Sequence, residues 1–140
     1  MVVLPPVNIF VVLLASISQM LLGMAWYSQT LFGKPWMKLM GFTQKEMQQD
    51  AASMKSTYTS MFVGIFLQAS VLAVLLERLA ISSFADAWIL ALLLWLGFVA
   101  VTQLSAALFA KQAFSFHLFT INTSYQLFGL VLMASIIQAF

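Results

Sequence analysis

Four long apolar stretches dominate the pattern of hydrophobic and polar positions along this chain. They cover residues 7–28, 58–76, 87–109 and 118–139. Each is near the roughly 20 residues that an α-helix needs to cross about 30 Å of hydrocarbon. None contains Asp, Glu, Lys or Arg, and the alternating pattern typical of transmembrane β-strands is absent. Because a backbone in lipid must satisfy its own hydrogen bonds, the pattern predicts four transmembrane helices.

The composition extends this prediction to the whole chain. Of the 140 residues, 63% are hydrophobic and only 7% are charged, whereas soluble domains are about 45–50% apolar and about 25% charged. So few charges cannot cover a water-soluble surface, so we expect a single all-α transmembrane domain, a four-helix bundle over residues 1–140. The chain has no cysteine, which excludes disulfides, thiolate nucleophiles and Cys-ligated metals.

The charged residues lie between the spans and predict an orientation. The first loop, residues 29–57, holds four lysines, the third loop adds Lys111, and the second loop has only Arg78. Loops one and three lie on the same side of a four-span chain, so five of the six cations share that side. The positive-inside rule therefore places these loops in the cytoplasm and both termini outside.

The first loop is expected to contain two helical segments. Residues 34–41 predict a short interfacial helix, with Pro35 in its first turn and Gly41 at its C-terminal cap. Its Lys34 and Lys38 would reach headgroup phosphates. Next, residues 43–46 have the sequence of a capping box. This box opens a polar helix that we expect to continue into the second span, for about 33 residues or roughly 50 Å.

Glutamines and small residues recur inside the spans and are candidate intramembrane polar contacts. The candidate glutamines are Gln19, Gln68, Gln103 and Gln126, with one taken from each span. In the second span Ser60 and Gly64 precede Gln68 at helical spacing, which predicts one shared face. Small residues let membrane helices approach closely, and amides hydrogen-bond across the contact. Two interpretations remain open: contacts that hold the bundle together, or the lining of a polar path or small-ligand pocket.

Groups that carry familiar chemistry are missing from the sequence. His117 is the only histidine, no carboxylate lies near it in the sequence, and a metal site needs several ligands. Nucleophile motifs and Gly-rich phosphate loops are absent, so we expect no catalytic residue, no metal and no cofactor. The spans carry no ionisable group at mid-membrane, which argues against an ion-coupled transporter. A net charge of +2 is too small to suggest nucleic acid as a partner.

A distinctive series of aromatic residues, glycines and a lysine covers the end of the first span and the start of the first loop. It is Trp-Tyr-Ser at residues 26–28, Phe-Gly-Lys at 32–34, Trp36, and Met-Gly at 40–41; Asn122 and Tyr125-Gln126 form a second block in the last span. These blocks resemble the bacterial membrane family known as domain of unknown function 1761, over essentially the whole chain. The resemblance implies a four-span protein of the bacterial inner membrane with no assigned activity.

The residues of this pattern form a candidate functional cluster at the predicted cytoplasmic end of the bundle. Its members are Trp26, Tyr27, Ser28, Lys34, Trp36, Asn122 and Tyr125. On physical grounds alone, the aromatic residues are typical of the belt that anchors helices at a membrane interface. The resemblance raises the expectation that the cluster does more than anchor.

Three functional hypotheses follow. The leading one is a non-enzymatic protein of the bilayer that acts by self-association, as a homo-oligomer, or through another membrane protein. The alternative is a small oligomeric channel or facilitator for an uncharged or weakly charged solute, based on the glutamines at mid-membrane depth. A third is a membrane enzyme or lipid-binding protein that works at the cytoplasmic interface through Tyr27, Lys34 and Lys38.

Overall fold

Five helices make up most of the chain in the computed structural model, which describes residues 5–43, 45–46, 51–110 and 114–140. They are α1 (Ile9–Trp26), α2 (Gly33–Met40), α3 (Ala51–Arg78), α4 (Phe84–Leu108) and α5 (Phe116–Ala139). Within α4, residues Trp95–Ala100 form a π-helical segment. Helices α1, α3, α4 and α5 are long and apolar enough to cross a membrane, which confirms the predicted all-α, four-span fold.

Two spans begin earlier than their apolar stretches because a serine caps each one. The Ser83 hydroxyl accepts a hydrogen bond from the Asp86 N–H at 3.1 Å, and the Ser115 hydroxyl accepts one from the Leu118 N–H at 3.2 Å. Such caps satisfy backbone donors that the first helical turn leaves free. Helices α4 and α5 therefore start at Phe84 and Phe116, rather than at residues 87 and 118.

The first loop has the predicted short helix and the predicted capping box. Helix α2 ends at Gly41, which adopts the left-handed conformation with φ 74° that glycine accepts without strain. The Thr43 hydroxyl accepts from the Glu46 N–H, while a Glu46 carboxylate oxygen accepts from the Thr43 hydroxyl and N–H. These bonds hold the pKa of Glu46 below its ordinary value. The predicted continuous helix crosses residues 47–50, which lie outside the described residues, and the interfacial position of α2 stays a prediction.

Helix α5 is the centre of the bundle. It packs against α1 and α4 along much of its length and also contacts α3 and α2. Alanines with no exposed surface line the contacts: Ala15, Ala69, Ala87, Ala91 and Ala134. Small side chains let the helix backbones approach closely, and larger residues such as Leu72, Leu130 and Met133 fill the space between them.

Helix α3 uses a different face from the one the small residues suggested. Ser60 and Gly64 are exposed, and a Cβ added at Gly64 would meet nothing within 4 Å. The face that packs carries the buried Ile65, Ala69, Leu72, Ala73 and Leu76. These larger apolar side chains make more contacts in the core than a serine and a glycine can. Of the two interpretations left open for the small residues, contacts that hold the bundle together therefore do not apply to Ser60 and Gly64.

Candidate functional site

The chain turns sharply where it leaves α1, and this turn positions the candidate cluster. The Phe32 N–H donates to the Trp26 carbonyl at 3.0 Å, and the Gly33 N–H donates to the Ser28 carbonyl at 2.9 Å. A Cβ at Gly33 would overlap the carbonyl oxygens of Tyr27 and Ser28. Only glycine allows α2 to begin this close to the end of α1, which explains the Phe-Gly-Lys element of the pattern.

Trp26 attaches this turn to the last span. Its indole N–H donates to the carbonyl of Ile121 on α5 at 3.2 Å. Its ring lies 4.6 Å from that of Phe32 and 5.5 Å from that of Phe128, between centroids. The single hydrogen-bond donor of the indole is satisfied, and the ring packs against Phe32 of the turn and Phe128 of α5. Trp26 therefore joins the turn to α5.

Tyr27 makes the second connection to α5. Its hydroxyl donates to Oδ1 of Asn122 at 3.0 Å, and its ring makes edge contacts at 5.4 Å with both Trp36 and Tyr125. Because a phenol is uncharged at neutral pH, the Tyr27 hydroxyl acts in this bond as a neutral hydrogen-bond donor.

Helices α1 and α5 also approach each other closely at two glycines. A Cβ at Gly23 would lie 2.9 Å from the Tyr125 hydroxyl oxygen, and one at Gly129 would lie 2.8 Å from the Gln19 amide carbon. The Tyr125 hydroxyl donates to the Gln19 main-chain carbonyl at 3.4 Å. The Gln19 side chain has no exposed surface, and neither of its amide atoms has a hydrogen-bond partner among the described residues.

The structure brings together five of the seven predicted cluster residues: Trp26, Tyr27, Trp36, Asn122 and Tyr125. Ser28 and Lys34 do not join these contacts. The Ser28 hydroxyl bonds the Ala25 carbonyl at 2.7 Å, within its own turn, and Lys34 is exposed. Phe128, which packs against Trp26, was not among the predicted residues, because a phenylalanine in an apolar span has no distinguishing local signal.

The remaining candidate glutamines lie outside this cluster. Gln68, Gln103 and Gln126 are half-buried. Within the described part of the chain, none of the three makes a side-chain hydrogen bond. Their role as contacts between helices stays a prediction.

The contacts within the cluster join elements of the fold to one another. It offers two phenols, two indoles and one amide: both phenols and the Trp26 indole donate hydrogen bonds within the bundle, whereas Trp36 contributes ring contacts. Across the residues described, no group of three or more His, Cys, Asp or Glu side chains is placed to hold a metal ion. What the arrangement does is hold α2 and the turn before it against α5.

The class of protein follows from this fold: a helical chain whose four apolar helices are consistent with a multi-pass membrane protein. Residues 10–138 match the family described as "Protein of unknown function (DUF1761)", and the chain belongs to that family. The match confirms the resemblance that the Trp-Tyr-Ser and Phe-Gly-Lys blocks indicated. Comparisons with curated proteins and with solved structures gave no significant match.

Replacing Tyr27 by phenylalanine tests the attachment. Tyr27→Phe removes the donor to Asn122 and leaves the amide oxygen without it, so unfolding in detergent should become easier by about 1 kcal/mol. Tyr58→Phe is the matched control, since Tyr58 is exposed on α3 and should leave stability unchanged. Equal stability of wild type and Tyr27→Phe would contradict the assigned hydrogen bond.

Proposed function

We propose that this chain is a non-enzymatic, multi-pass protein of the bacterial inner membrane that acts by associating with a second copy of itself. The observation that carries the proposal is the outward stripe of α3, formed by Ser60, Gly64 and Gln68. We also infer that loop 29–57 faces the cytoplasm and both termini face outside, from the distribution of lysines.

The stripe has the chemistry of a helix–helix contact in lipid. Its residues recur every four positions, so they follow one face of α3 for about 12 Å. Lipid is as apolar as leucine, so helices associate through close packing at small residues and through hydrogen bonds between polar side chains. Gly64 offers open space for a partner backbone, and the half-buried Gln68 amide has no hydrogen bond to a described residue.

A second copy suits this stripe because a two-fold contact is self-complementary. The same surface faces itself, so the Gln68 amides of two chains can each donate and accept. The exposed face of α4 offers a contrast. Only 11% of that span is buried, yet the face carries bulky side chains such as Leu92, Leu93 and Phe98, which suit contact with acyl chains.

The alternative function, an oligomeric channel, has weaker support. It needs the mid-membrane amides to line a common path. Gln19 is fully buried against Gly129, between α1 and α5, whereas Gln68 lies on the partly exposed side of α3. A path through one copy would have to separate α1 from α5 where Gln19 packs against Gly129.

Replacing Gly64 by leucine tests self-association. In liposomes, Gly64→Leu should weaken dimer formation about tenfold or more, because the added side chain keeps the two backbones apart. Gln68→Leu should weaken it about threefold, given the modest worth of one amide contact in a membrane. Single-molecule photobleaching across a range of protein-to-lipid ratios measures the dimer fraction.

Gly97→Leu is the matched control for this experiment. Gly97 is also an exposed glycine within a span, and a Cβ there meets nothing within 4 Å, but it belongs to α4. We expect its dimer fraction to equal that of wild type. A wild-type chain that stays monomeric at every ratio, or an equal loss in Gly97→Leu, would refute the assigned interface.

A further inference from the structure

Helices α1 and α3 leave a groove between them on the outside of the bundle. It has a volume of about 450 Å³ and is lined by Met20, Met24, Lys55, Tyr58, Thr59 and Phe62. The two helices run in opposite directions, so the last turns of α1 lie beside the first turns of α3. This α1–α3 groove uses a different face of α3 from the Ser60 stripe.

The floor of the groove is apolar and adaptable. Met20 and Met24 follow each other by one turn of α1, and Phe62 lies opposite them on α3. Methionine has an unbranched, flexible side chain that adjusts to irregular apolar partners. These three side chains therefore suit a flexible hydrocarbon chain rather than a rigid ring system or a polar solute.

One end of the groove is polar and positively charged. Lys55, Tyr58 and Thr59 occupy positions i, i+3 and i+4 of α3, which are neighbours on one helix face. The Thr59 hydroxyl donates to the Lys55 main-chain carbonyl at 2.8 Å. The exposed Tyr58 hydroxyl makes no hydrogen bond to a described residue. An ammonium and a phenol are thus available together for one anionic group.

The depth of Lys55 in the membrane matches that of a lipid phosphate. Lys55 and Arg78 are separated by about 35 Å along α3, at about 1.5 Å per residue. The hydrocarbon core is about 30 Å thick, and about 40–45 Å with the headgroup regions. When Arg78 lies in one headgroup region, Lys55 therefore lies in the other, and the apolar floor extends from it toward the membrane centre.

We propose that the α1–α3 groove binds an anionic phospholipid. Its phosphate accepts hydrogen bonds from Lys55 and Tyr58, and one acyl chain lies along Met20, Met24 and Phe62. Charge complementarity favours a lipid with net negative charge, because a zwitterionic headgroup brings its own cation to the same place. A free phosphate would use the polar end only and leave the apolar floor uncovered.

Lipid retention by the full-length protein tests the charged end. Native mass spectrometry in detergent compares phosphatidylglycerol with phosphatidylcholine of the same acyl chains. Wild type should retain the anionic lipid several-fold better. Lys55→Gln should lower that preference about fivefold, the scale expected for one cation near an anionic lipid surface. Lys45→Gln is the matched control: Lys45 is also an exposed lysine of the first loop but does not line the groove, and it should behave as wild type.

A second pair of variants tests the apolar floor. Met24→Trp should fill the groove and reduce retention of both lipids, whereas Leu21→Trp changes an equally exposed α1 residue outside the groove and should not. Inorganic phosphate in excess should leave retention of phosphatidylglycerol unchanged. The proposal is overturned if wild type shows no preference, if Lys45→Gln and Lys55→Gln lose it equally, if Met24→Trp retains both lipids as wild type does, or if inorganic phosphate displaces the lipid.

Discussion

Gly33→Ala is expected to destabilise the folded protein by about 2–4 kcal/mol, the upper range for forcing atoms into a packed site. The added methyl group would overlap the carbonyl oxygens of Tyr27 and Ser28. Both are main-chain atoms, and the Ser28 carbonyl also accepts the Gly33 N–H, so neither can move aside without opening the turn. We expect α2 to separate from α5 and the hydrogen bond from Trp26 to Ile121 to weaken.

Thermal unfolding in detergent and hydrogen exchange over residues 33–40 measure this effect. Gly97→Ala is the matched control. Gly97 is a helical glycine with open space around it and lies outside the proposed dimer contact, so alanine should leave stability unchanged or raise it by about 0.5–1 kcal/mol. Faster exchange in residues 33–40 should appear in Gly33→Ala only. A Gly33→Ala protein as stable as the control would show that position 33 has room for a Cβ and that the turn does not require glycine.

Gln19→Met is expected to stabilise the protein by about 1–3 kcal/mol, an unusual sign for a change in a bundle core. The Gln19 amide is fully buried beside the Tyr125 hydroxyl, and neither its oxygen nor its nitrogen makes a hydrogen bond of normal geometry to a described residue. A buried polar group without a partner carries its full desolvation cost. Methionine has nearly the same length and flexibility, so it keeps contact with Gly129 while removing that cost.

Unfolding in detergent again provides the measurement, with Gln138→Met as control. Gln138 lies near the end of α5 and is only half-buried, so its replacement should change stability little. Loss of stability in Gln19→Met would mean that the amide has a hydrogen-bond partner in the folded protein. That result would contradict the unpartnered state on which the prediction rests.

Local signals in the sequence accounted for the helices and several of their ends. The apolar stretches predicted all four spans, and the pattern Thr43 to Glu46 predicted a capping box whose hydrogen bonds the structure contains. The starts of α4 and α5 were missed by two or three residues. Their caps are Ser83 and Ser115, and an apolar run alone does not show how many residues before it the helix begins.

The candidate cluster was identified in part, and through a different kind of signal. The resemblance to a family grouped Trp26, Tyr27 and Trp36 with Asn122 and Tyr125, and the structure places these residues together. It did not show what joins them. The hydrogen bonds from Trp26 and Tyr27 reach residues 95 positions away, and helical periodicity contains no information about such pairs.

The sequence by itself determined that this chain has four apolar helices, where they lie, and how charge is distributed between them, because length, hydropathy and capping act within a few residues. Only the tertiary structure decided which face of each helix packs. In α3 the core takes Ile65 and Leu72 and leaves Ser60 and Gly64 outside. In a water-soluble protein, a polar face would mark the solvent-exposed side of the helix. In a membrane both faces are apolar, so the face that packs is decided by how its side chains fit those of α1 and α5. The sequence of one helix does not contain that information.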